Sequence, residues 1–151
     1  MHTIRLRGPW QVEPVERYVL RADGGYERST ADLPAAAKMT MPADWAAVLG
    51  ASFLGLVRYQ RIFQKPTGLE SGERVWLVVE APQSRGTVEL NHMRLGDAGG
   101  RFDITEHLAD HNRLTILVEH PAVDEGGVAD DDNATRMVGG LVDEVRLEIE
   151  E

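Results

Sequence analysis

The residues best suited to chemistry crowd one acidic stretch: Asp124, Glu125, Asp130, Asp131, Asp132 and Asn133. Hard cations collect carboxylate and carbonyl oxygens, which makes Asp130 and Asp132 the calcium candidates. Their spacing is not that of an EF-hand loop. The plainer reading, a solvated acidic loop, is preferred over a metal site, so no cofactor is expected. The same side chains can accept hydrogen bonds from a hydroxyl-rich ligand, and Asp130, Asp131, Asp132 and Asn133 are therefore candidate ligand contacts. Trp10, Trp45 and Trp76 could offer flat faces to a pyranose. Trp45 and Trp76 are expected to pack in the core, which leaves Trp10 as the stacking candidate.

Other constellations are weaker. His107 and His111 lie four apart and would share a face of a helix. No Glu follows His107 as a zinc-protease signature requires, so both are read as surface histidines. Gly50-Ala-Ser-Phe-Leu-Gly55 lacks the spacing of a nucleophile elbow, and Phe53 is expected to point inward. Arg61 is read as a structural ion-pair residue. Acidic residues are so plentiful that no particular pair marks a glycoside-cleaving site.

The elements that must position these groups are short and alternate with turns. Trp10–Pro14 and Val15–Arg21 read as strand, closed by Asp23-Gly24-Gly25, and residues 22–37 read as loop. Lys38–Met41 is a short strand, and Pro42–Leu49 suits one or two helical turns with Pro42 in the first. Val57–Phe63 alternates clearly. Arg74–Glu80 is nearly all apolar, as in a strand buried on both faces. Thr87–Asn91 and Met93–Gly96 form a hairpin through Asn91-His92, since Asn tolerates positive φ. Phe102–Thr105 leads into a helical turn that Thr105 could cap. Leu114–Val118 and Val142–Ile149 complete the pattern, with the loop Pro121–Met137 between them. Many short strands with almost no helical period predict an antiparallel two-sheet sandwich, with Val78, Leu90, Ile116 and Leu147 buried.

The chain has 151 residues, no cysteine and a net charge of −9. That length suits a single domain, 1–151, burying about 70% of its unfolded surface. Disulfides, thiolate metal sites and a cysteine nucleophile are excluded. The acidic balance argues against nucleic acid and anionic membranes. No signal-peptide core or transmembrane run is visible, so the cytoplasm is the default expectation.

The order of motifs resembles the N-terminal sugar-binding domain of glycoside hydrolase family 2, the β-galactosidase and β-glucuronidase group. The pieces are Pro42-Ala-Asp-Trp45, Phe53-x-Gly55, Tyr59-x-Arg61-x-Phe63, Val88-x-Leu90-Asn91, Leu95-Gly96, Phe102-Asp-Ile-Thr105, Asn112-x-Leu114 and Gly140-Leu-Val-Asp-Glu-Val145-x-Leu147. The resemblance covers roughly Trp10 onward and implies a galactose-binding-like jelly roll. His92 departs from the family's glycine. The resemblance also implies that catalytic carboxylates belong to a separate barrel, and that a carboxylate before the last strand reaches an active site; Asp132 or Asn133 would be its counterpart. The expected function is a non-catalytic carbohydrate-binding or interaction module. The alternatives are an oligomerising protein with a vestigial sugar site and, behind it, an accessory subunit of a glycosidase. Expected partners are a carbohydrate, a second copy or another protein.

Overall fold

Period-two hydrophobicity becomes, in the computed structural model, two antiparallel sheets packed as a sandwich. The structure describes residues 2–41, 43–50, 52–80, 82, 85–129, 140–141 and 144–151. One sheet has four strands in the spatial order β1 (His2–Arg5), β11 (Val145–Glu150), β6 (Arg74–Val79) and β9 (Arg101–Asp103). The other orders β3 (Tyr26–Ser29), β2 (Trp10–Leu20), β5 (Gly55–Gln64), β10 (His111–His120), β7 (Arg85–Leu90) and β8 (Met93–Asp97), with β4 (Ala37–Met39) also paired to β2. A short helix, α1 (Ala46–Leu49), and a 3-10 turn at Thr105–His107 are the helical elements among the described residues. No described helix is long and apolar enough to cross a membrane.

The inner faces supply the core. Val12, Val57, Tyr59, Val88, Leu90, Leu114, Ile116 and Val118 come from the larger sheet, and Val75, Leu77, Val79, Val145 and Leu147 from the smaller. Val78, Leu90, Ile116 and Leu147 are all buried, as the alternation predicts. The register between β2 and β5 slips between Pro14 and Glu16. Such a bulge adds one residue to one strand and reverses which face later side chains point to. Trp10 and Val12 accordingly pack in the main core, while Tyr18 joins Tyr26 and Val123 in a separate cluster.

The Asn91-His92 turn forms as read, with φ of 52° and 70°. Asn91 does more than turn the chain. Its Oδ1 accepts the Arg113 amide (2.9 Å), and its Nδ2 donates to Asn112 Oδ1 (3.1 Å). The fully buried Asn112 in turn accepts the Ala109 amide (2.8 Å) and donates to the Ala109 carbonyl (2.9 Å). The hairpin and the start of β10 are thus one polar knot inside an apolar frame.

Four expectations need correction. Residues 22–37 are not all loop: Tyr26–Ser29 pairs with β2. Thr105 does not cap the 3-10 turn but is its first residue. Its hydroxyl accepts the Val75 amide (2.8 Å) and donates to Asp103 (2.7 Å), tying the turn to β6. β6 is not buried on both faces, because Arg74 and Trp76 sit half-buried on the outer side. The last strand begins at Val145; Val142 and Asp143 lie outside the described residues.

Candidate functional site

Two regions hold groups that could do more than pack. The first is the end of the sandwich where β10 finishes. Trp45 is fully buried there, its indole N–H donating to the Phe53 carbonyl (3.2 Å). Its ring meets Phe53 edge-on at 5.6 Å and the buried His120 at 6.2 Å. Tyr59 is buried beneath Gly140, which has φ of 96°; a Cβ at Gly140 would collide with the Tyr59 hydroxyl. Burial pushes the Tyr59 hydroxyl well above the ordinary tyrosine pKa, and the Leu141 amide opposes this only in part. Gly140 lies against Tyr59 and Trp45, whereas Ala129 packs with the separate cluster of Tyr18, Tyr26 and Val123.

The first part of the acidic loop is folded down rather than held out to solvent. Arg21 Nη2 donates to the Gly126 carbonyl (2.7 Å), and the Tyr26 amide donates to the Gly127 carbonyl (2.7 Å). The Asp124 carboxylate accepts the Val128 amide (2.9 Å), so it closes its own turn. Beneath lies Glu119, on the outer face of β10 yet nearly buried. It accepts hydrogen bonds from the Tyr18 hydroxyl and from Arg85, which also donates to the Val123 carbonyl (3.0 Å). Desolvation, followed by the Glu119 hydrogen bond and charge, raises the Tyr18 pKa. Sequence reasoning missed this knot, because nothing local announces that a bulge carries Tyr18 to the outer face.

The second region is the outer face of the larger sheet. The β2–β5 ladder stops at Gln11 opposite Gln60. Beyond it, at the edge of the sheet, lies a cavity of about 340 Å³ bordered by Pro9, Gln11, Lys38, Gln60 and Ile62 and, from the inward-facing positions of their strands, by Trp10 and Arg61. Two smaller cavities, about 150 and 160 Å³, continue along the face and share Thr87 and Leu117. Arg61 is not the ion-pair residue expected: among the described residues it meets no carboxylate. Its Nη1 lies 3.5 Å from the Pro9 carbonyl, its Nε is buried without a partner, and desolvation lowers its pKa.

The candidate contacts Asp130, Asp131, Asp132 and Asn133, including both calcium candidates, lie outside the described residues. Among the described residues no group of three or more metal-ligating side chains is suited to a metal ion. Trp10 is fully buried, with its indole N–H donating to the Leu6 carbonyl (2.7 Å), and this leaves no ring face open for stacking. Trp76 has the Arg101 guanidinium 3.9 Å above its ring. His107 and His111 are exposed and belong to different elements, while Phe53 points inward as read.

No protein-family model and no curated protein sequence matches the chain. Solved structures do. An FMN-binding β-glucuronidase from Facaelibacterium prausnitzii L2-6 shares 28% identity at a TM-score of 0.71, over 98% of this chain and 22% of that one. Bifidobacterium dentium β-glucuronidase, solved with coumarin-3-O-glucuronide, gives 22% identity and a TM-score of 0.65, over 97% of this chain and 29% of that one. A glycosyl hydrolase family 2 member from Bacteroides cellulosilyticus DSM 14838 gives 13% identity and a TM-score of 0.66, over 99% and 21%. The chain thus spans less than a third of the length of each of these enzymes. Its sandwich is the galactose-binding-like jelly roll of glycoside hydrolase family 2 enzymes, the group that the order of motifs resembles.

Proposed function

We propose that the chain is a non-catalytic carbohydrate-binding or interaction module of the family 2 type, working beside catalytic machinery that its described residues do not supply. One observation carries this reading. The sandwich aligns over 98% of this chain with a β-glucuronidase of which it makes up only 22%. Fold alone does not fix function, so the surface chemistry matters as well. Glycoside hydrolysis needs an acid and a second carboxylate roughly 5–10 Å apart across a bound sugar. The cavity bordered by Glu73, Glu150 and Glu151, with His2, is open, and none of these side chains is buried. The buried Glu119 is already held by Tyr18 and Arg85.

A panel of aryl glycosides, glucuronides and galactosides included, should show no turnover, while a glycan array should show binding. Turnover abolished by substituting a carboxylate would overturn the reading. The oligomerising alternative draws support from Leu20 and Val128, 65% and 56% exposed. Both flank the contact between Tyr26 and Gly127, and exposed apolar residues that cluster mark contact surfaces. A concentration-dependent dimer by light scattering, with no glycan bound, would favour it.

A further inference from the structure

The outer face of the smaller sheet is closed by its own side chains. Arg101 lies 3.9 Å above the Trp76 ring and pairs with Glu148 and Glu150 (3.2 and 3.0 Å). Arg146 bridges Glu80 and Glu148 (2.8 and 2.9 Å). The outer face of the larger sheet is left open. Leu56 and Leu117 are only half-buried there, Ile62 is 54% exposed, and the two smaller cavities lie over β5, β10 and β7. β5 and β10 are each ten residues long. Five strands at about 4.8 Å spacing and about 3.3 Å per residue make a face on the order of 800 Å², the area one partner buries in a standard-sized interface.

Three opposite-charge pairs lie on this face: Arg58 with Glu13, Arg85 with Glu119 and Arg94 with Asp97. A chain of net charge −9 repels its own copies most where its carboxylates are bare, and least where they are paired. The polar groups nearest the centre also form two complementary rows. Cross-strand register sets Gln60 of β5 and Glu89 of β7 on either side of Thr115, and Arg58 and Thr87 on either side of Leu117. Side-chain N–H donors thus line one flank of β10, and oxygens able to accept line the other. A twofold axis along β10 lays the β5 of one copy over the β7 of its partner. Gln60 then meets Glu89 and Arg58 meets Thr87, each twice, as an isologous contact requires. Sheets packed face to face cross at about 30°, which carries the exposed Arg113 of each copy, near the start of β10, away from the other.

We propose that two copies of this chain pack face to face through the outer side of the larger sheet, with β10 on the twofold axis. This rests on the interaction half of the module reading and names its partner and its surface. Leu56, Thr115 and Leu117 form the centre of the contact, and the Arg58–Glu13 and Arg94–Asp97 pairs form its rim. An apolar centre inside a polar rim is the usual anatomy of a protein interface.

Sedimentation velocity across a concentration series, from micromolar to millimolar, tests it. The chain should form a dimer. Leu117→Asp sets two carboxylates against each other at the axis and should raise the dissociation constant at least about 100-fold. Gln60→Glu faces Glu89 with a like charge and should raise it about 10-fold. Gln60→Glu combined with Glu89→Gln should restore it, because donor and acceptor have only changed places. Val128→Asp, in the loop docked on β3, should leave it unchanged. Thermal melts check that each variant folds, and the exchange of Gln60 and Glu89 keeps the test open if Leu117→Asp does not. A monomer at every concentration, or a dimer indifferent to Leu117→Asp and to Gln60→Glu, would overturn the proposal. A dimer lost in Val128→Asp would overturn it too, by moving the contact to the docked loop. Array glycans bound by a strictly monomeric chain would sink this interface and leave the module reading standing.

Discussion

Asn112 concentrates several structural duties in one side chain. It is fully buried, receives the Ala109 amide and Asn91 Nδ2, and donates to the Ala109 carbonyl. Truncation to alanine would strand the amide and carbonyl of Ala109 in a dry place, where each unmade hydrogen bond carries its full desolvation penalty. Asn112→Ala should therefore lower stability by about 3 kcal/mol, read as a reduced urea midpoint at unchanged m. Arg61 and Tyr18 teach the complementary lesson about reading residues singly. Strand parity puts Arg61 on the buried side, yet parity cannot say that no carboxylate waits there. Tyr18 looks like a residue of the main core by the same parity and packs instead in the second cluster, because a slip in register between Pro14 and Glu16 turns it to the outer face.

At the scale of elements, most strands were legible because alternation and Gly/Pro punctuation coincide. β5, β6, β7, β8 and β10 fall where the pattern puts them. The failures have physical causes. β3 is short and polar, Tyr-Glu-Arg-Ser, and is defined by its partner β2 and by the loop docked on it. β9 likewise exists through pairing with β6. The described start of the acidic loop, to Ala129, is a loop as read, but the docking of Gly126 and Gly127 onto the ends of β2 and β3 is a long-range contact with no local signature. The β7–β8 turn offers an element-scale test. His92 holds φ of 70°, a region that costs a side-chain-bearing residue roughly 1–2 kcal/mol and glycine almost nothing. Part of that gain is returned through the greater freedom of glycine in the unfolded chain. His92→Gly should raise stability by about 1 kcal/mol, visible as a higher urea midpoint with the hairpin register intact.

For the molecule as a whole, pH-dependent stability follows from groups spread over both sheets. Tyr18 and Tyr59 have folded-state pKa values raised above the ordinary value near 10, chiefly by burial. Their contribution is fully present below about pH 10 and is lost as pH rises from there towards their folded values, because the unfolded chain ionises first. Denaturation scans should show stability declining above about pH 10, with a shallower decline in Tyr18→Phe. An unchanged slope would mean that Tyr18 is not buried beside Glu119 in solution. On the acid side, Glu148 is held below the usual carboxylate range by hydrogen bonding to Arg146, against desolvation, with Arg101 adding to the effect. That contribution is present above about pH 4 and fades as pH falls through the folded value.

The slip between Pro14 and Glu16 has a further reach. It works as a phase change: one strand carries two hydrophobic messages in different frames, the first spelled by Trp10 and Val12 for the interior, the second by Tyr18 for the exterior. Deleting the one extra residue, Val15, would leave a regular ladder in which Pro14 and Glu16 still oppose Val57 and Leu56, with Trp10 facing the interior and Tyr18 the exterior. The bulge is thus a slack of one residue that both clusters can lose. A second deletion would turn both onto one face, and the chain would then have to choose between seating Trp10 in the sandwich and keeping Tyr18 on Glu119.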